Sequence, residues 1–182
     1  MTTSSIFISF VRPVDFNTAS ALLAAMNQAI KEGHADITLL MSSSGGQVIP
    51  GFAIYNQLLM LPITLTTCNI GSVNSIATII FLAGARRLAT PNATFLFHGT
   101  SWGFGHAAEI AKRQLAESIS ALEVDEKRMR DVVVMRTHIQ ETEIVQLMLD
   151  GMTRDAQFAK DREIIHEITT VPIAQGIPVI QI

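Results

Sequence analysis

Apolar positions recur with two periods along this chain, and the switches between them divide it into alternating elements. Ile6-Phe7-Ile8-Ser9-Phe10-Val11 is a short run of apolar, β-favouring residues and predicts a strand. Asp15 or Asn17 can then cap a helix in which Leu22, Leu23, Met26 and Ile30 fall at helical spacing, and Gly33 ends it. The continuous apolar run Ile37 to Met41 predicts a buried strand over 36–42. A second helix is expected from about Pro50 to Met60, with Phe52, Ala53 and Leu59 toward the sheet and Pro62 as its stop. Ile63 to Cys68 alternates and is rich in β-branched residues, so a third strand is expected there. Gly71 is then expected to reverse the chain into an apolar helix over 75–84.

Repeated β-α-β units of this kind predict an α/β fold with a mainly parallel sheet and right-handed crossovers. Further on, Pro91-Asn92 reads as a turn before a short strand that ends at His98. Thr100 to Gly105 is a loop of glycines and aromatics, followed by a long helical stretch from roughly 106 to 137. Its apolar positions Ile110, Ile119, Leu122, Met129, Val132 and Val133 make only a partial stripe among many charges. A helix that long with so thin a stripe is expected to leave its own domain and pack on a partner; the alternative is a solvated helix lying back along one sheet face. The last strand is expected at about 163–168.

Composition narrows the setting. At 182 residues the chain is expected to form one domain, 1–182, large enough to bury most of a core. Its 48% hydrophobic content suggests self-association, and a formal net charge of -3 gives no general attraction to nucleic acid or to an anionic membrane. The single cysteine, Cys68, lies in an apolar strand and reads as a small core residue in a reducing compartment. Met1 to Ser5 carries no basic region before an apolar run, and the longest apolar run, Ile76 to Ala83, is far short of the ~20 residues that span a bilayer. A cytoplasmic protein is therefore expected.

Candidate chemistry centres on Ser75, which stands where a strand gives way to an apolar helix. Unpaired N–H groups and the positive end of the helix dipole meet at such a point, so an oxyanion formed there is stabilised. The plainer alternative is that Asn74 or Ser75 only caps the helix. Two further segments supply what a serine nucleophile needs. Ser42-Ser43-Ser44-Gly45-Gly46-Gln47-Val48 follows a buried strand, and its glycines allow a close backbone approach and a second N–H donor. His98 ends a strand just before Gly99, where it is either a structural, solvated histidine or a base.

These three segments resemble the proteolytic subunits of the Clp protease (ClpP), within the wider ClpP/crotonase fold. Ser-Ser-Gly-Gly-Gln-Val at 43–48 resembles that family's Ser-Pro-Gly-Gly-Ser-Val loop. Gly71 to Ala77 resembles its Gly-Gln-Ala-Ala-Ser-Met-Gly nucleophile turn, and Leu88 to His98 its Leu-Pro-Asn…His strand. Ser44 stands in place of the usual Pro, and Ala77 in place of the usual Gly. The resemblance implies a serine endopeptidase with Ser75 as nucleophile and His98 as base. It implies Asp150 as the third triad member, with Asp155 as the alternative, and Gly46 and Ile76 as oxyanion-hole donors. It further implies no metal or other cofactor, unfolded polypeptide as substrate, stacked homo-oligomeric rings joined through a handle at about 99–137, and a separate ATP-dependent unfoldase. His34, His106, His138 and His166 show no ligand spacing of their own. Two other functions share this fold: a catalytically impaired scaffold subunit, and a crotonase-type acyl-CoA enzyme, which would leave the Ser/His pair without a task.

Overall fold

The computed structural model describes residues 5–101 and 111–182. Strands β1 (Ser5–Val11), β2 (Asp36–Ser43) and β3 (Thr64–Asn74) alternate with helices α1 (Phe16–Lys31) and α2 (Val48–Met60). After α3 (Ile76–Phe81) come β4 (Arg86–Ala89), β5 (Thr94–Leu96), the long α4 (Lys112–Arg136) and α5 (Glu141–Asp150). The chain finishes with β6 (Thr153–Asp155), α6 (Ala156–Asp161), β7 (Glu167–Ile168) and β8 (Val179–Gln181). The strands form one sheet in the order β6-β5-β3-β2-β1-β8, with β4 on β3 and β7 on β4. Every pairing is parallel except β5 with β6, and helical crossovers through α1 and α2 set the parallel run of β1, β2 and β3. Buried on both faces, the central strands supply Ile6, Ile8, Phe10, Ile37, Leu39 and Met41 to a core closed by Phe81 and Phe95, whose rings meet edge to face.

The first helix begins as its sequence suggests. Asp15 caps it by accepting from the Thr18 N–H at 2.8 Å, and Leu22 and Met26 are fully buried. The second differs in its buried face. It starts at Val48, and Phe52, Tyr55 and Leu58 point inward, while Ala53 and Leu59 are exposed. Gly51 sets that rotation: a Cβ there would lie 2.2 Å from the Ile76 side chain, so only glycine lets α2 seat against α3.

The largest departure from expectation is β3. The strand does not end near Cys68 with a reversal at Gly71; it runs on to Asn74. Its polar continuation is tied down by side chains. Asn69 donates Nδ2–H to the Thr94 carbonyl at 2.8 Å, and Ser72 Oγ lies 2.9 Å from Thr94 Oγ1. The strand therefore changes partners, pairing residues 66–69 with β4 and residues 72–74 with β5. This exchange delivers Ser75 and the His98 segment to the same end of the sheet.

Helix α4 occupies 112–136; the expected start at 106–110, with Ile110 and the glycine-aromatic residues 102–105, lies outside the described residues. Its buried residues, Met129, Val132 and Val133, belong to its C-terminal half, and Leu115, Ile119 and Val124 are exposed. The N-terminal half thus stands clear of the core. Helix α5 was not evident from the sequence, and the terminal strand expected at 163–168 is shorter. Ile164 and Ile165 are buried in a turn after Glu163, whose φ of +52° breaks the extended run, so β7 begins only at Glu167. Among the described residues no helix is long and apolar enough to cross a membrane.

Candidate active site

Ser75 occupies the junction between β3 and α3 with φ 57° and ψ -131°, a conformation that non-glycine residues avoid. Holding it there costs about 1–3 kcal/mol, which the surrounding bonds must offset. Three of them clamp its backbone. The Ser75 N–H donates to the Leu96 carbonyl at 2.8 Å, and the Ser75 carbonyl accepts from the Thr78 N–H at 2.9 Å and the Thr78 hydroxyl at 2.6 Å. The side chain stands at the capping position yet makes no capping hydrogen bond. The Ser75 hydroxyl is thereby left for other work, which a helix-capping role would not do.

The 43–48 loop is moulded to this turn. Gly45 has φ +87°, and a Cβ on it would lie 2.7 Å from Ser75 Cβ and 2.8 Å from the Asn74 carbonyl oxygen. Gly46 has φ +148°, and its Cβ would lie 2.2 Å from the Val14 carbonyl oxygen. Both positions thus require glycine, for conformation and for space. Val14 pins the loop from outside, donating its N–H to Gly45 O and accepting from the Gln47 N–H, each at 2.8 Å. Ile76 is the first residue of α3, so its N–H has no acceptor within the helix and faces the end where an anion is favoured. Ala77, in the place of a family glycine, is fully buried.

A cavity of about 360 Å³ lies beside the turn, lined by Gly46, Gln47, Val48 and Ile49 on one side and Ser75, His98, Leu122 and Asp125 on the other. Ser75, His98 and Gly46 therefore share one space. Ser75 and His98 form no hydrogen bond with each other in this arrangement. His98 Nδ1 lies 2.7 Å from the Gly99 carbonyl oxygen. Because a carbonyl only accepts, Nδ1 carries the proton, and the neutral ring keeps its Nε2 lone pair for a proton from elsewhere.

The two candidate aspartates have other partners. Asp150, at the end of α5, accepts from Gln146 Nε2 at 2.6 Å and lies 3.7 Å from Arg154 Nη2. Its neighbour Gly151, in the left-handed conformation that closes α5, faces the histidine, and a Cβ there would lie 4.0 Å from His98 Cβ. Asp155 caps α6 by accepting from the Phe158 N–H at 2.8 Å, as its position before a helix favours. Among the described residues no group of three His, Cys, Asp or Glu side chains is placed to hold a metal ion. Cys68 is buried in the sheet, and burial pushes its thiol up to about 11, so it is a poor nucleophile.

Sequence reasoning missed several contributors. Glu126, on α4, accepts from the Thr100 N–H at 2.9 Å, and nothing marks it among the other charges of that helix. Arg128 lies 3.9 Å over the Phe52 ring and 2.8 Å from Asp125. Gly51 had a legible signal: a glycine inside a helical pattern calls for a packing reason.

A family model described as Clp protease matches residues 1–172. The ATP-dependent Clp protease proteolytic subunit 1 of Leifsonia xyli subsp. xyli (strain CTCB07) is 33% identical over 108 residues, 58% of this chain and 54% of that relative. The protein of the same description from Mycobacterium leprae (strain TN) is 36% identical over 96 residues, 51% and 46% respectively. The chain thus spans about half the length of the curated relatives it matches. A solved ClpP1 mutant from Listeria monocytogenes superposes with a TM-score of 0.80 at 18% identity, covering 93% of this chain and 92% of that one, a likeness of fold. With a family model matched over nearly its whole length and the same fold in a solved relative, the chain belongs to the Clp protease family.

Proposed function

We propose that this chain is a serine endopeptidase subunit that hydrolyses unfolded polypeptides inside a homo-oligomeric chamber. The observation that carries the reading is the uncommitted Ser75 hydroxyl, held in a strained turn on the same cavity as His98. In this reading Ser75 Oγ attacks a peptide carbonyl while His98 Nε2 takes its proton, then returns it to the leaving amine. The oxyanion is met by the N–H groups of Gly46 and Ile76, each worth roughly 3 kcal/mol in comparable sites. Water then releases the acyl group. Since Asp150 and Asp155 are both engaged elsewhere, the acceptor for Nδ1 in this proposal is the Gly99 carbonyl.

An extended substrate segment fits between the 45–48 loop and the residues after His98, binding by main chain with little demand on sequence. The exposed apolar residues of the N-terminal half of α4 support its role as a handle between subunits, and the whole chain is read as one domain. Unfolding of substrates falls to an ATP-dependent partner in this reading, as the description of its relatives as ATP-dependent Clp protease subunits supports, and the setting is read as the cytoplasm.

Digestion of casein followed by gel electrophoresis tests the activity. The assembled protein is expected to degrade it and Ser75→Ala to leave it intact; equal degradation by both would sink the assignment. One rival has an observation behind it. Neither aspartate bonds His98, as expected of a scaffold subunit that has lost its chemistry, and an assembled oligomer that leaves casein whole would favour it.

A further inference from the structure

His98 has no aspartate at Nδ1, yet a carboxylate reaches it through one peptide unit. The Gly99 carbonyl, which accepts from His98 Nδ1–H at 2.7 Å, and the Thr100 N–H, which donates to Glu126 Oε1 at 2.9 Å, belong to the same planar amide. In a trans peptide these two groups point in opposite directions, so carboxylate, amide and imidazole form one hydrogen-bonded line. A hydrogen bond at one end of an amide strengthens the bond at the other, because each polarises the group between them. We propose that Glu126 of α4 is a positioning residue that acts on His98 through the Gly99–Thr100 peptide group, in the place a triad aspartate would take. The inference rests on reading His98 as the general base.

Independent features of the structure favour this arrangement. A Cβ at Gly99 would lie 3.0 Å from Glu126 Oε1, so glycine there admits the carboxylate to the peptide edge. The Gly99 N–H, on the preceding peptide unit, donates to the Met148 carbonyl at 3.1 Å, and the Thr100 hydroxyl lies 3.2 Å from Glu126 Oε1, so the chain is anchored on both sides of the amide. Glu126 also keeps its charge directed at Thr100. Its other oxygen lies 4.0 Å from Arg130, beyond hydrogen-bonding distance, and Arg130 has its closer partner in Glu141 at 3.2 Å. Among the described residues, the other candidate acids have their own partners: Asp125 with Arg128, Asp150 with Gln146 and Arg154, and Asp155 with the start of α6. When Ser75 gives its proton to Nε2, the O–H bond breaks, the N–H bond forms, and Nδ1 retains its own proton. No proton travels along the line; Glu126 stabilises the positive ring through the amide dipole.

The test is ¹⁵N NMR of the His98 imidazole in the full-length assembled protein, which reads the ring whether or not peptide is cleaved. Wild type is expected to show the neutral ring protonated at Nδ1. Glu126→Gln keeps an oxygen to accept from Thr100 but removes the charge, so the tautomer is expected to persist while the resonance of the proton on Nδ1 moves upfield as its bond to the Gly99 carbonyl weakens. In parallel, kcat for peptide hydrolysis is expected to fall about tenfold with KM retained. Gly99→Ala, which displaces the carboxylate and leaves its charge in place, is expected to move that resonance in the same direction. A resonance unmoved in both variants, or a ring protonated at Nε2 in wild type, would overturn the proposal. Absence of hydrolysis in wild type with the NMR shift present would refute the peptidase reading and leave the relay standing.

Discussion

The turn that carries Ser75 and the segment that carries His98 face one cavity but are held by opposite means. Ser75 is built into the core: its backbone is clamped by Leu96 and Thr78, Gly45 packs on its Cβ, and the apolar residues of α3 behind it are fully buried. His98 lies just past the end of β5, partly buried; its ring bonds the adjoining Gly99 carbonyl, and the residues that follow it are tied to α4 through Glu126 and to α5 through the Met148 carbonyl. The nucleophile is thus a property of the local fold, whereas the base depends on two helices distant in sequence. Changes to the backbone and packing around Ser75 should disturb stability and chemistry together, and changes near His98 should disturb chemistry alone.

The largest expected effect is that of Ser75→Ala, which should lower kcat for a peptide substrate by about 10⁴-fold or more. Alanine keeps the Cβ and hence the backbone strain, and the hydroxyl it removes makes no capping bond, so the denaturation midpoint should barely move. Next, Gly45→Ala drives a methyl group into Ser75 Cβ and the Asn74 carbonyl at a left-handed φ. It should cost about 1–3 kcal/mol in urea unfolding and abolish most activity with it. Wild-type stability in that variant would break the contrast between the two regions. On the other side, Asp150→Asn removes a charge that faces Gln146 and Arg154, so kcat should change by less than about threefold. A loss of a hundredfold or more would restore Asp150 as the third triad member.

The smallest effect concerns a histidine far from the cavity. His166 Nδ1 accepts the Arg87 N–H at 3.1 Å, and partial burial, then the Arg87 charge, hold His166 below its ordinary value of 6.5. Below about pH 6.5 the unfolded chain takes up a proton that the folded one resists, so this group's contribution is present at neutral pH and is lost as pH falls. Urea midpoints at pH 7 and pH 5.5 should therefore converge in His166→Gln relative to wild type. An unchanged pH dependence would remove His166 from the account.

How far these features could be read from the sequence follows the same division. Periodicity exposed β1, α1, β2 and the apolar helix after Ser75 because each buries a continuous face. The Gly45-Gly46 pair and Ser75 were legible because backbone chemistry there admits few residue types. The polar half of β3 was hidden, since Gly71 reads as a reversal, and the groups that let the strand run on are Thr94 and Ser42 of other strands, which bond Asn69 and Ser72. The buried face of α2 was misjudged because Gly51 against Ile76, a tertiary contact, sets its rotation. Around His98 almost nothing was legible beyond the residue itself. Its ordering groups are a carbonyl, which every residue carries, and Glu126, one acid among several on α4.

Reaction of the assembled protein with a fluorophosphonate, followed by peptide mapping, tests the central claim most directly. The account predicts a single adduct on Ser75, formed in wild type, absent in Ser75→Ala and strongly slowed in His98→Ala. An adduct on another serine, or equal labelling of Ser75 with and without the imidazole, would contradict it.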